Sequence, residues 1–332
     1  MKRQTVAFSR ESANLFFHIL TRCNLRCAHC YINTEQHGQT TLDFATVESW
    51  LGVFSHKARQ TNLILLGGEP TLHPDLARVV KLAKALRFKS ITIDTNGYLF
   101  HDILDKITPD EVDFISFSLD GATAQTNDLI RGQGCHATVL SGIKRARSKG
   151  FSCSMIYTVS EKNIHELNQM PDLLKTLGIS RFFIQVIGMR GKASKSSSGS
   201  PQVCRETWQD LIPKVAEHIA GLGITVTYPK VFLEPGETFE CAGTVADNYF
   251  VFPNGRVYRC PVCEDFPLHA HEILENRLVD RPKINEIDLF SLDIPEGCVM
   301  NKMIQPGNLV YDDTGRPTHK IACCMLKEEL MP

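Results

Sequence analysis

The chain has 332 residues, 43% of them hydrophobic, and a formal net charge of -1, enough to bury a large core in one large domain and a smaller one. That charge balance leaves no basic footprint for nucleic acid or for an anionic membrane surface. Residues 1–14 are polar and charged and no apolar run reaches a membrane span, so neither a signal peptide nor a transmembrane helix is expected and the cytoplasm is the expected location.

Twelve cysteines in such a chain read as metal ligands rather than disulfides, because the cytosol keeps thiols reduced. Cys23, Cys27 and Cys30 share one short stretch, and six more follow residue 240. Cys135, Cys153 and Cys204 are scattered and read as small buried hydrophobes.

In chain order, the apolar residues 15–20 predict a buried strand leading into Cys23-Asn24-Leu25-Arg26-Cys27-Ala28-His29-Cys30. The spacing lets a loop or frayed turn point three sulfurs at one centre, as thiolate-bound zinc or iron-sulfur requires. Three thiolates are one short of a closed site, which leaves a distant fourth ligand or a position open to a substrate or cofactor. His29 reads as a partly packed histidine, since as a ligand it would share the centre with its neighbour Cys30.

Residues 43–59 predict a helix and 62–66 a strand that ends in Gly67-Gly68-Glu69-Pro70. There the glycines let backbone approach a ligand and Glu69 offers a carboxylate to an ammonium group. A helix over 74–86 follows, then strands over 90–94 and 114–119 ending at Thr95-Asn96-Gly97 and at Ser118-Leu119-Asp120-Gly121. The hydroxyl, amide and carboxylate of Thr95, Asn96, Ser118 and Asp120 suit ribose or carboxylate oxygens, or ordinary turn chemistry. The guanidinium of Arg131 suits a bidentate contact with a carboxylate.

Helices over 136–149 and 163–177 alternate with strands over 152–159 and 181–187. Six strands alternating with helices imply parallel pairing, with functional loops at the carboxyl ends of the strands, where every motif above lies. Residues 191–201 have the composition of a mobile surface loop, and a helix over 206–222 is interrupted or restarted at Pro213. Pro253-Asn254-Gly255 marks a hairpin between strands over 249–252 and 257–258 that brings Cys241 towards Cys260, with Cys263 in reach. Cys298 and the pair Cys323-Cys324 complete the set.

The Cys23, Cys27, Cys30 stretch with Tyr31 behind it, followed one strand later by Gly67-Gly68-Glu69-Pro70, resembles the cluster loop and SAM pocket of radical S-adenosylmethionine (SAM) enzymes. The resemblance implies a partial (β/α)6 TIM-like barrel and three cysteines on a 4Fe-4S cluster whose fourth iron binds SAM. It also implies reductive cleavage of SAM to a 5'-deoxyadenosyl radical that abstracts hydrogen from a substrate. Gly67, Gly68, Glu69 and Pro70 would hold the SAM amino group, Thr95, Asn96, Ser118 and Asp120 would line the pocket, Arg131 would pair with the carboxylate, and residues 186–189 would lie against the adenine.

The Cys241, Gly255, Cys260 spacing resembles the start of SPASM and twitch auxiliary-cluster domains. Six cysteines fall short of full ligation for two cubane clusters. One auxiliary 4Fe-4S cluster on Cys241, Cys260, Cys263 and either Cys323 or Cys298 is therefore expected, two incompletely ligated clusters or a zinc site being the alternatives. The implied organisation is a tail over 1–14, a barrel over 15–222 and an auxiliary domain over 223–332.

The expected function is radical modification of a peptide or a small cofactor precursor. A flavodoxin- or ferredoxin-like reductant is implied, and, with the barrel beginning near residue 15, either a peptide reader would be a separate protein or the substrate is not a peptide. The competing class is a non-catalytic iron-sulfur or zinc protein for electron transfer or scaffolding, which would have no need of a SAM pocket. No catalytic acid or base is assigned: His18, His29, Glu234 and Tyr157 all have packing or surface explanations.

Overall fold

A computed structural model describes residues 2–6, 12–195, 201–234, 236–281 and 283–332. Its strands are β1 (Lys2–Val6), β2 (Ala13–His18), β3 (Thr61–Leu66), β4 (Ser90–Thr95), β5 (Phe114–Ser118), β6 (Cys153–Val159), β7 (Arg181–Val186), β8 (Thr225–Pro229), β9 (Asn248–Val251), β10 (Arg256–Tyr258), β11 (His271–Leu274), β12 (Arg277–Asp280) and β13 (Lys327–Met331). They form one open sheet in the order β1-β13-β8-β7-β6-β5-β4-β3-β2-β9-β10-β11-β12. Each neighbouring pair from β2 to β8 is parallel, and β9 adds to β2 in parallel.

Alternation along these strands separates two environments. Leu15, Phe17, Leu63, Leu65, Ile91, Ile93, Ile115, Phe117, Met155, Tyr157, Phe182 and Ile184 are buried under the crossover helices. The intervening Phe16, Ile64, Thr92, Asp94, Ser118, Ile156, Thr158 and Phe183 are only half-buried. A parallel sheet covered on both faces reads as continuous apolar runs; here the inner face is mixed and reachable by water, as the lumen of a partial barrel requires. Asp94 sits level with Ser116, and Ser116 with Ser154, on adjacent strands of the sheet.

Several expectations shift. The helix expected over 43–59 is Phe44–Val53, started by Asp43, whose Oδ1 accepts from Thr46 N at 2.7 Å, and it tightens into the 3-10 turn Ser55–Gln60. Pro213 lies inside the helix Arg205–Gly221 without ending it. Part of the expected tail is a strand: β1 pairs antiparallel with β13, and β13 with β8. The sheet therefore runs on from β7 through β8, across the boundary expected at residue 222. A second core, Phe250, Phe252, Tyr258, Val262, Cys263, Cys298, Met300 and Ile304, forms beyond β9.

Among the expected buried cysteines, Cys135 and Cys153 are buried, but Cys204 is exposed beside Thr207, immediately before a helix. Among the described residues no helix is long and apolar enough to cross a membrane.

Candidate functional site

Gly67 and Gly68 leave β3 against the backbone of the cysteine loop. Gly68 N donates to Leu20 O and Glu69 N to Arg22 O, both at 3.0 Å. A Cβ at either glycine would stand 2.2 Å from a carbonyl oxygen, that of Leu20 or Arg22, so only glycine fits this approach. The backbone these glycines admit is that of the cysteine loop itself.

Glu69 is fully buried. Its Oε1 accepts from Thr71 N, Thr71 Oγ1 and Thr95 Oγ1 at 3.0, 2.5 and 2.8 Å, and its Oε2 from Asn96 N at 2.7 Å. The carboxylate thereby ties the ends of β3 and β4 together, with Pro70 opening the short turn Pro70–Leu72. Asn96 passes the connection on: its Nδ2 is 2.8 Å from Asn24 Oδ1 and 3.8 Å from Cys23 Sγ.

On the other flank Asp120, fully buried at the end of β5, lies 2.6 Å from Arg131 Nε and 3.2 Å from His29 Nε2 through the same Oδ2. Its Oδ1 accepts from Thr158 N at 2.8 Å. Arg131 is thus paired through Nε with Asp120, at the end of a helix, Ala124–Arg131, that the sequence did not announce. The same segment receives the cysteine loop: Ala28 N donates to Ile130 O at 2.9 Å, and the thiols of Cys27 and Cys135 both point at Arg131 O. Ser118 is half-buried at the lumen end of β5.

The segment after β7 was expected to be a surface excursion, yet its first residues are packed. Gly191 and Ala193 are buried and Lys192 N donates to Cys30 O at 3.0 Å. Residues 196–200 lie outside the described residues.

Beyond β9 a second group of thiols converges. Cys241, Cys260, Cys298, Cys323 and Cys324 line one small cavity with Phe239, Leu289, Phe290 and Met300. Cys263 packs with Cys298 in the adjoining core. The loop carrying Cys260 is organised by Glu286, which no sequence motif flagged. Its fully buried carboxylate accepts from Arg259 N, Cys260 N and Ala270 N at 2.6, 3.0 and 3.1 Å.

The chemistry of the donors suits soft metal centres. Burial pushes the Cys23 thiol up to about 11 and the Cys298 thiol up to about 12, so both await a cation to deprotonate them. Cys23, Cys27 and Cys30 are half-exposed at the mouth of the lumen, which fits a cluster with one iron left for a ligand. Among the described residues no group of three or more His, Cys, Asp or Glu side chains is arranged to hold a single metal ion. Below the mouth, burial and the neighbouring Glu69 charge raise Asp94 to about 7, against a hydrogen bond from Ser116.

Residues 17–174 match the model of the radical SAM superfamily. Pre-heme d1 synthase of Dinoroseobacter shibae is 29% identical over 218 residues, covering 63% of this chain and 52% of that protein. Mycofactocin maturase MftC of Mycobacterium ulcerans is 24% identical over 282 residues, covering 80% of this chain and 72% of that one. The chain spans about half the length of the first curated relatives it matches. SuiB of Streptococcus suis, solved with S-adenosylmethionine, superposes with a TM-score of 0.62 at 15% identity over 76% of this chain and 61% of that one. At that identity the likeness is one of fold.

Residues 17–174 thus carry a match to the radical SAM superfamily, and these similarities support an enzyme of the radical SAM type, a family that uses a 4Fe-4S cluster and SAM.

Proposed function

We propose that this enzyme modifies a peptide, holding it in the barrel lumen between two cysteine-bound centres. The observation that carries this is the pairing of the two thiol groups around one end of the barrel, at Cys23, Cys27 and Cys30 and at the cavity lined by Cys241, Cys260 and Cys323. The maturase match supports it, because it extends over 80% of the chain. The matches to a pre-heme d1 synthase and to an AdoMet-dependent heme synthase cover less, 63% and 59% of the chain. SuiB has also been solved with a precursor peptide.

Bound at the first site, the cluster and SAM supply one-electron cleavage chemistry and a hydrogen-abstracting radical; the protein positions the reacting carbon and excludes water. Cys23, Cys27 and Cys30 hold the cluster. The loop ends at Gly67, Gly68, Glu69, Pro70, Thr95, Asn96 and Ser118 shape the pocket for SAM. Asp120 and Arg131 fix the floor beneath the cysteine loop, a positioning role rather than direct contact with the SAM carboxylate. One auxiliary cluster rests on Cys241, Cys260, Cys263 and a fourth thiol. Contact between Cys241 and Cys323 favours Cys323 over Cys298. A flavodoxin- or ferredoxin-like protein supplies the electron.

A second reading, action on a tetrapyrrole precursor of a cofactor, is favoured by the names of two relatives, a pre-heme d1 synthase and an AdoMet-dependent heme synthase. Deuterium transfer decides between them. The reconstituted enzyme is given SAM, dithionite and either a deuterated peptide pool or a deuterated iron-porphyrin precursor, and 5'-deoxyadenosine is analysed by mass. Label arriving only from peptide supports the proposal; label arriving only from porphyrin replaces it with the second reading.

A further inference from the structure

The two cysteine sites are joined by one short strap. Arg190, just beyond β7, donates through one guanidinium nitrogen to Pro261 O and pairs with Glu264 Oε2 at 3.0 Å. Both partners belong to the loop that carries Cys260 and Cys263. Its guanidinium also stands 4.8 Å from the ring centroid of Tyr31, the residue after Cys30. The next two residues repeat the pattern: Gly191 N donates to Asp265 Oδ2 at 2.6 Å, while Lys192 N donates to Cys30 O at 3.0 Å. A Cβ at Gly191 would meet Cys30 O at 2.4 Å, so the strap lies flat on the cysteine loop.

A second set of contacts runs parallel. His37 Nε2 is 3.0 Å from Glu264 O, and Tyr31 OH is 2.8 Å from His18 Nε2. Phe252 is stacked between the rings of His18 and His37 at 4.0 and 3.9 Å. Cys30 and Tyr31 are therefore tied to residues 261–265 through residues 190–192, and His37 is tied to them directly.

We propose that Arg190 is a positioning residue that couples the two centres: filling the second cysteine site fixes residues 261–265, and Arg190 transmits that order to Tyr31 and Cys30, tightening SAM binding at the first. This rests on the reading of both thiol groups as cluster sites. Glu264 is 3% exposed and Arg190 24%, so the pair is shielded from the solvent screening that weakens surface ion pairs. Arginine suits the place because one planar fork serves a carbonyl, a carboxylate and an aromatic face together.

The test is a double-mutant cycle on the anaerobically reconstituted protein. Its four members are wild type, C260S/C263S, R190Q and the triple variant. The readout is the SAM-induced change in the electron paramagnetic resonance spectrum of the reduced first cluster, titrated to a Kd. Emptying the second site is expected to weaken SAM binding by about tenfold with Arg190 present, within the usual range of coupling between sites, and by about twofold or less in the R190Q background. R190K is expected to recover part of the coupling, since it keeps the charge without the fork.

Should the cysteine pair be needed for folding, the single variant C263S replaces it in the same cycle, with iron counted to show that the second site is empty. Equal fold-changes in both backgrounds would overturn the proposal. A wild type that binds iron but shows no spectral response to SAM would instead overturn the underlying assignment of the first site, and the coupling with it.

Discussion

Arg131 Nε lies 2.6 Å from Asp120 Oδ2, and His29 Nε2 lies 3.2 Å from the same oxygen, with Asp120 wholly buried. This contact pins the far end of the helix Ala124–Arg131 to the end of β5, and the cysteine loop hangs from that helix through Ala28 and Ile130.

Replacing Asp120 by Asn leaves the Arg131 charge buried without a counter-charge. Losing one partner of a buried pair costs about 3 to 5 kcal/mol. D120N is expected to unfold at lower denaturant concentration and to retain less iron at the first site, read by chemical denaturation and iron analysis.

Gly68→Ala forces a methyl to within 2.2 Å of Arg22 O and 2.5 Å of Thr21 O. The atoms met are backbone, so the cysteine loop must move. The variant is expected to lose roughly four irons while keeping the four of the second site, and to stop forming 5'-deoxyadenosine.

Glu286 makes the opposite prediction. Its carboxylate holds three backbone N–H groups of the second cysteine loop and its surroundings. Stranding buried donors costs about 1 to 3 kcal/mol each. E286A is expected to lose iron at the second site first, with E286Q intermediate because its amide oxygen still accepts.

Asp94 imposes a pH dependence on stability. Its folded value is about 7 against roughly 3.9 in an unfolded chain. Between those values the folded state keeps a proton that the unfolded state has released, so stability falls as pH rises through this window and is level above it. The effect amounts to at most a few kcal/mol, at about 1.4 kcal/mol per unit. Melting temperatures between pH 5 and 8 are expected to fall more steeply for wild type than for D94N.

Much of the barrel was legible because its strands are short apolar runs, such as Leu63-Ile64-Leu65-Leu66, each closed by a polar turn. The spacing of Cys23, Cys27 and Cys30 singled out one short stretch of chain. By contrast, β13 is Lys-Glu-Glu-Leu-Met and β8 ends in Pro229, compositions whose strand character comes from pairing with partners a hundred residues away. The short helix Ala124–Arg131 has too few turns to show a period. Glu69 stood out at the end of a strand, but its engagement by Thr71, Thr95 and Asn96 needed the β3 and β4 ends brought together. Glu286 sits in the polar start of a five-residue helix, and nothing local marks it as the support of Cys260.

The central claim, two cysteine-bound centres of which the first cleaves SAM, is tested most directly by anaerobic reconstitution of wild type and of C23A/C27A/C30A. Iron is counted, and 5'-deoxyadenosine is measured after addition of dithionite and SAM. The account predicts about eight irons in wild type and about four in the variant, with deoxyadenosine from wild type alone. Zinc as the dominant metal, or full clusters that never yield deoxyadenosine, would contradict it.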